Sequence, residues 1–174
     1  MSKRDYSKQV VRRQRIRSTS LVVGVDVGKA YNAVGFMNKE GNVLGSCAKV
    51  YNSREGFEQF TKMVEDLKAQ YGLKDVLIGM EPTGHYWRKL AYFAKEQGYE
   101  VRFVRTTALK HHRELNESAS AKSEQRDALT ITNITREGKY IDTVIEDGRM
   151  RPLRTLVKER EKIQKRNVSA VHSL

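Results

Sequence analysis

The sequence predicts an α/β fold built on a mixed β-sheet with helices packed on it, and two observations lead to this prediction. Three strand-like segments follow one another directly in the first third of the chain, as a β-hairpin and its neighbour would. Beyond them, strand-like and helix-like segments alternate, and such alternation is typical of parallel strands joined by helices. A sheet with both parallel and antiparallel pairs is therefore expected.

The first three predicted strands lie close together in the sequence. Residues 21–27, Leu-Val-Val-Gly-Val-Asp-Val, form a β-branched run followed by a glycine, as expected of a buried central strand. The segments 31–36 and 43–50 are the next strands, and the Gly and Asn residues of 38–42 suit a hairpin turn between them. Asp26 thus stands at the end of the first strand.

Helical spacing appears after these strands. Ser53 is a candidate N-cap for a helix whose apolar residues recur three or four apart until Gly72. Residues 75–80 return to a short apolar strand, which places Glu81 at its end before a Pro-Thr-Gly break. The remaining predicted elements are a helix from Trp87 to Gly98, a strand over 99–104, a short helix over 107–115 and a helix from about Ala121 to Ile134.

Positive charge is concentrated at the two ends of the chain. Of the formal net charge of +12, residues 1–18 contribute seven basic and one acidic side chain, and residues 149–174 contribute eight basic and two acidic. Such ends beside a neutral body are typical of binding to nucleic acid, although solvated charged faces are the alternative. We divide the chain into a basic arm at 1–18, a central domain at 19–140, and a linker with the start of a basic helix at 141–174.

Composition excludes several other classes of protein. Cys47 is the single cysteine, so neither an internal disulfide framework nor a cysteine-based zinc site can form. No apolar run approaches the roughly 20 residues that span a membrane. We expect a soluble protein of the cytoplasm that does not bind membranes.

Four carboxylates carry the chemistry that the sequence suggests. Asp26 and Glu81 end two strands and would share one edge of the sheet if those strands are parallel neighbours. Glu124 and Asp127 are three residues apart, hence on one face of a helix, where they repel each other unless a cation lies near. Carboxylate oxygens suit Mg²⁺, and two such ions can support phosphoryl transfer on nucleic acid.

Three short blocks give the chain a specific resemblance. They are Gly-Val-Asp-Val-Gly-Lys at 24–29, Met-Glu-Pro-Thr-Gly-His-Tyr at 80–86 and Lys-Ser-Glu-Gln-Arg-Asp-Ala at 122–128. In this order and spacing they resemble the amino-terminal part of a DEDD transposase, over about residues 20–174. This is the insertion-sequence recombinase family that includes the Piv-type DNA invertases and is associated with a bridge RNA.

The resemblance implies a RuvC-like, RNase H-type fold whose acids bind two Mg²⁺ ions, with Mn²⁺ as a substitute, and cut and exchange DNA strands. Its metal ligands and catalytic residues would be Asp26, Glu81, Glu124 and Asp127. Glu124 is a departure, since the family usually has Asp there, and its added methylene could shift the metal. Three nearby cations could neutralise phosphate, with a solvated surface role as the alternative: Lys29, Lys122 and Arg126.

The resemblance also concerns the C-terminal segment and the partners. A helix after Pro152, containing Arg154 and Arg160, would begin a coiled-coil element used in dimerisation and in contact with a guide RNA. The assembly would be a dimer or tetramer located at the prokaryotic nucleoid. A second domain would supply a serine nucleophile, but Ser169 and Ser173 match no such motif, so we expect an incomplete recombinase.

Two other hypotheses remain open from the sequence. One is a nucleic-acid-binding and dimerisation module without activity alone, in which the basic ends grip phosphates. The other is an ATPase or sugar kinase of the actin-like class, since Asp-Val-Gly-Lys at 26–29 also resembles a phosphate loop of that fold. The second hypothesis would require a further phosphate loop and an adenosine motif, and neither is evident.

Overall fold

In a computed structural model, the chain forms two compact units, Met1–Thr143 and Val144–Leu174. The structure describes residues 3–82, 84–109, 112, 123–142, 145, 156–157 and 159–164, with side chains described from residue 6 onward. In the first unit a six-stranded sheet has the strand order β3-β2-β1-β4-β5-β6. Its strands are β1 (Ser20–Asp26), β2 (Tyr31–Met37), β3 (Ala48–Tyr51), β4 (Asp75–Met80), β5 (Glu100–Val104) and β6 (Tyr140–Ile141). The helices are α1 (Lys3–Arg15), α2 (Arg54–Tyr71), α3 (Trp87–Glu96) and α4 (Glu124–Arg136).

The predicted mixed α/β sheet flanked by helices is confirmed. Strand β1 is central: it pairs antiparallel with β2 and parallel with β4. Its apolar residues Leu21, Val22, Val23 and Val25 are all fully buried, because both faces of a central strand are covered. The β-branched run in the sequence therefore reflects this position.

Local sequence patterns predicted both ends of α2 correctly. The Ser53 hydroxyl accepts a hydrogen bond from the backbone N–H of Gly56 at 3.1 Å, as expected of an N-cap, and α2 ends at Gly72 with a left-handed φ of 65°. The predicted strand over 43–50 is wrong in its first half. Val43 makes only an isolated bridge to Met37, and Gly45 takes a left-handed φ of 68°, so regular pairing starts at Ala48.

A row of three glycines brings α4 against the sheet. Gly24 of β1 is paired with Gly35 of β2 and with Gly79 of β4. A β-carbon on Gly24 would overlap the backbone of α4, while one on Gly35 would lie 2.9 Å from Leu129 Cδ2. The absence of side chains along this row lets α4 cross the middle of the sheet at backbone contact distance.

The segment predicted as a basic arm forms helix α1, which packs on the loop after α4. Gln9 Nε2 donates to the carbonyl of Glu137 at 3.1 Å, and Arg12 Nη2 is paired with Asp142 at 2.8 Å. Ile16, which follows the helix, is buried in a cluster with Val22, Leu77 and Tyr140. The two polar contacts join residues 128 and 130 positions apart in the sequence.

The second unit contains helical residues at 156–157 and 159–164, in the segment predicted as a basic helix. Leu156, Val157 and Ile163 are 67%, 48% and 57% exposed, so these apolar side chains of the predicted helix lie open to solvent. The coiled-coil role stays a prediction. Among the described residues, no helix has the length and apolar content needed to cross a membrane.

Candidate active site

Asp26 and Glu81 end two adjacent parallel strands. The last paired residues of β1 and β4 are Val25 and Met80, so the two acids stand one position further at the same edge. Gly24 and Gly79 both face α4, and side chains two residues apart on a strand share a face. Asp26 therefore lies on the α4 face, Glu81 follows the end of the neighbouring strand β4, and both acids are half-buried.

The first turn of α4 supplies the other two acids. Its N-cap residue Ser123 is extended, and its carbonyl accepts a hydrogen bond from the Asp127 backbone at 3.0 Å. Asp127 is only 7% exposed, whereas Glu124 is exposed. Negative charge in the first turn is favoured by the helix dipole, which offsets part of the repulsion between these two acids.

The direction of α4 places this turn on the β2 side of the sheet, next to the end of β1. Going along the helix, Leu129 lies over β2, Thr132 over β1 and Thr135 over β4. Asp26 is paired with Ala33, and both line a pocket of about 260 Å³ that Glu124 also lines. The rest of this pocket is formed by Val27, Gly28, Lys29, Ala30 and Tyr31.

The structure thus brings Asp26 and Glu124 to a common pocket, with Glu81 on the neighbouring strand and Asp127 buried at the base of the same helix turn. Among the described residues, however, no group of three or more His, Cys, Asp or Glu side chains is arranged to hold a metal ion. The donor set is made of carboxylate oxygens, which is the ligand type of Mg²⁺ and Mn²⁺. The residues present fit such ions in the chemistry of their donor atoms, and two of them, Asp26 and Glu124, line one pocket.

Glu124 is held by a residue that the sequence analysis did not single out. The Tyr31 hydroxyl lies 3.0 Å from Glu124 Oε1 and 2.9 Å from Oε2, and it donates to that carboxylate. Lys49 Nζ donates to the same hydroxyl at 3.3 Å, and this hydrogen bond raises the pKa of Lys49 above its ordinary value. The alternation of Tyr31, Ala33 and Gly35 on one strand face was the signal available in the sequence.

The predicted nucleic-acid-binding cations are found in different surroundings. Lys29 is exposed and lines the pocket, and Arg126 is exposed on the first turn of α4. Arg160 is exposed on the helix of the second unit. Lys122 and Arg154 lie outside the described residues.

Cys47 lies near this turn as well. Its thiol is 3.7 Å from the carbonyl of Gln125, to which it donates, and burial raises its pKa. A thiol with a raised pKa is less ionised at neutral pH, which argues against a role as a nucleophile.

Comparison with solved structures finds RuvC and ROK proteins. RuvC of Thermus thermophilus in complex with a Holliday junction substrate is 16% identical, with 70% of this chain and 98% of that chain covered and a TM-score of 0.44. A second Thermus thermophilus RuvC structure is 17% identical, with 69% and 98% covered and a TM-score of 0.41. A ROK hexokinase from Thermus thermophilus is 17% identical, with 57% and 38% covered and a TM-score of 0.36.

Sequence comparison is more decisive. A search of curated proteins finds no significant match. A family model for IS110-type DEDD elements, described as a transposase, matches residues 23–174 and so covers β1 from its fourth residue, β2 to β6, α2 to α4 and all four candidate acids. The chain therefore belongs to the IS110-type DEDD transposase family.

Proposed function

We propose that this chain is a metal-dependent nuclease domain of a transposase, which acts in the cleavage and exchange of DNA strands. Asp26, Glu81 and Asp127 would hold two Mg²⁺ ions, with Glu124 as the fourth ligand. The observation that carries the proposal is that Asp26 and Glu81 stand at adjacent parallel strand ends, and that Glu124 of the acidic first turn of α4 lines the same pocket as Asp26.

Two bound Mg²⁺ ions would supply activation of the attacking oxygen and stabilisation of the leaving oxygen in phosphoryl transfer. The carboxylates of the chain would orient the site and neutralise its charge. Lys29, exposed at the pocket, would contact a DNA phosphate, and exposed Arg126 would do the same from α4. The half-buried positions of Asp26 and Glu81 leave one side of the site open to a strand.

The proposed partners follow from the family. DNA is the substrate of a transposase, and the proposed location is the prokaryotic cytoplasm at the nucleoid. A bridge RNA as guide, a dimer or tetramer, and a separate serine-bearing domain are part of this proposal. Family membership argues against the actin-like ATPase hypothesis.

Metal binding tests the site directly. Isothermal titration with Mn²⁺ is expected to show binding by the wild-type chain that Asp26→Ala and Asp127→Ala each weaken by more than about 100-fold, since even outer residues of metal sites contribute about 10- to 100-fold. Asp66→Ala is the matched control, because Asp66 is an exposed acid of α2. Thermal melting verifies that each variant is folded. Unchanged Mn²⁺ affinity in both site variants would refute the proposal.

A second candidate function, nucleic-acid binding without catalysis, is favoured by helix α1. Its cations Lys8, Arg13 and Arg15 are exposed, and α1 precedes the family match. Lysine and arginine on an exposed helix face bind phosphates and release counterions, which makes binding sensitive to salt. Salt-sensitive DNA binding that survives loss of the four acids, together with an absence of Mn²⁺ binding, would favour this function.

A further inference from the structure

A chain of hydrogen bonds runs from β3 through β2 to the first turn of α4. Lys49 Nζ lies 3.3 Å from Tyr31 Oη, which in turn lies 3.0 and 2.9 Å from the two carboxylate oxygens of Glu124. The three residues are 18 and 93 positions apart in sequence, so only the fold brings them together.

The chemistry of the three groups fixes the direction of this chain. A lysine ammonium can only donate, and an ionised carboxylate can only accept. The Tyr31 hydroxyl therefore accepts from Lys49, and its single proton points to Glu124. Reversal of the chain is excluded, so Tyr31 is a dedicated donor to Glu124.

The ring of Tyr31 is itself held in place. Lys49 Nζ lies 4.5 Å from the ring centroid, within the range of a cation–π contact, and the Tyr51 ring packs edge-on at 5.9 Å. Sheet register explains this arrangement, because Tyr31 is paired with Tyr51 and Ala33 with Lys49. The hydroxyl thus comes from a strand paired within the sheet rather than from a loop.

The geometry points to Tyr31, oriented by Lys49, as a positioning residue that fixes the Glu124 carboxylate at the pocket shared with Asp26. This inference rests on the proposed function. A glutamate has one more rotatable bond than aspartate, and ordering a free side chain costs conformational entropy. A carboxylate has roughly four lone-pair sites, so one hydroxyl proton leaves the others for a metal ion. Tyr31 would therefore let a glutamate act at this position.

The test measures Mn²⁺ affinity of the 174-residue chain by isothermal titration. Tyr31→Phe removes only the hydroxyl and is expected to weaken Mn²⁺ binding by about 10-fold, the size found for groups that orient metal ligands. Tyr51→Phe is the matched control: it is the neighbouring tyrosine, exposed, and its substitution should leave Mn²⁺ affinity unchanged. Lys49→Met is expected to weaken binding less than Tyr31→Phe, because the hydroxyl still reaches Glu124.

A double-mutant cycle separates positioning from general destabilisation. If Tyr31 acts through Glu124, then Tyr31→Phe should have no further effect on Mn²⁺ affinity in a Glu124→Ala background. In the metal-free chain, the ¹³C NMR shift of the Glu124 carboxyl should change in Tyr31→Phe and stay constant in Tyr51→Phe. This second measurement reports the contact without any metal.

The outcomes distinguish the inference from the proposed function. Wild-type Mn²⁺ binding that depends on Asp26 but is unaffected by Tyr31→Phe would overturn the role of Tyr31 alone. If Lys49→Met binds Mn²⁺ with the same affinity as Tyr51→Phe, then Lys49 has no part in positioning Glu124. Absence of Mn²⁺ binding by the wild-type chain would overturn both the inference and the proposed function.

Discussion

Gly24 lies directly beneath Thr132, so closely that a β-carbon on Gly24 would overlap both the amide nitrogen and the hydroxyl oxygen of Thr132. The single proton of the Thr132 hydroxyl is shared between the carbonyls of Ala128, at 2.8 Å, and Gly35 of β2, at 3.2 Å. This contact joins β1, β2 and α4 at one point. It therefore sets how far the acidic first turn of α4 lies from Asp26.

Gly24→Ala is expected to destabilise the first unit by more than about 3 kcal/mol, the upper range for overpacking, because backbone atoms of α4 cannot move aside as a side chain would. Gly98→Ala is the comparison. Its position has open space and a left-handed φ of 79°, so it should cost only about 1–2 kcal/mol. Urea denaturation measures both. If both variants lose the same free energy of unfolding, the packing of α4 on the sheet does not depend on the row of glycines.

Thr132→Val should reduce the free energy of unfolding by about 0.5–1.5 kcal/mol, since it removes a buried hydroxyl donor and keeps the shape of the side chain. Thr130→Val is the matched control on the same helix. Thr130 also donates to a carbonyl four residues back, at 2.8 Å, but in an exposed setting. Denaturant midpoints should therefore shift less for Thr130→Val; a larger shift there would contradict the packing described.

The docking of α1 is expected to weaken in acid. The hydrogen bond from Arg12 holds the pKa of Asp142 below its ordinary value of 3.8. A carboxyl with a lowered folded pKa contributes stability above its unfolded pKa, and this contribution is lost as pH falls through the folded value. Melting temperatures of wild type and Asp142→Asn should thus differ at pH 6 and converge below about pH 3.8.

Two measurements support that test. Asp66→Asn, at an exposed acid of α2, should follow the wild-type melting temperature at every pH. Limited proteolysis near residue 17 should become faster in Asp142→Asn at pH 6 if α1 separates from the sheet. A pH profile of Asp142→Asn parallel to wild type would exclude the contribution of the Arg12–Asp142 pair.

The exposed face of α1 predicts a salt-dependent contribution to DNA binding. Replacing Lys8, Arg13 and Arg15 by Gln is expected to reduce the slope of log affinity against log salt by up to about three, one for each lost phosphate contact. Fluorescence anisotropy with a DNA duplex measures this slope. The control replaces three exposed lysines elsewhere by Gln, and this change should alter the salt slope less: Lys62, Lys74 and Lys89. An equal change would indicate a general effect of net charge.

Part of the site could be predicted because it depends on local patterns. The β-branched run before Asp26 and the apolar strand before Glu81 each indicate a buried strand, and parallel neighbours end at the same edge. The helical spacing after Ser123 places Glu124 and Asp127 on one face. Strand ends and helix faces were thus predicted correctly, and the family match covers all four acids.

Other features required the tertiary structure. The beginning of β3 was predicted wrongly, because apolar residues at 43–47 look like a strand although a left-handed Gly45 interrupts pairing. The positive charge of residues 1–18 predicted a basic arm. In the structure this segment contains helix α1, whose packing depends on a contact between Arg12 and Asp142, 130 residues apart. Charge patterns do not indicate such pairs.

By itself the sequence determined strands β1, β2, β4 and β5, the caps of α2 and the residue types available for metal binding, since periodicity and turn chemistry act over a few residues. The tertiary structure decided which of these groups meet. Only the register of β1 with β2 and β4 aligns Gly24, Gly35 and Gly79 into a row, and only α4 lying on that row brings Glu124 to Tyr31. Contacts between residues 93 positions apart arise from packing, which no local pattern encodes.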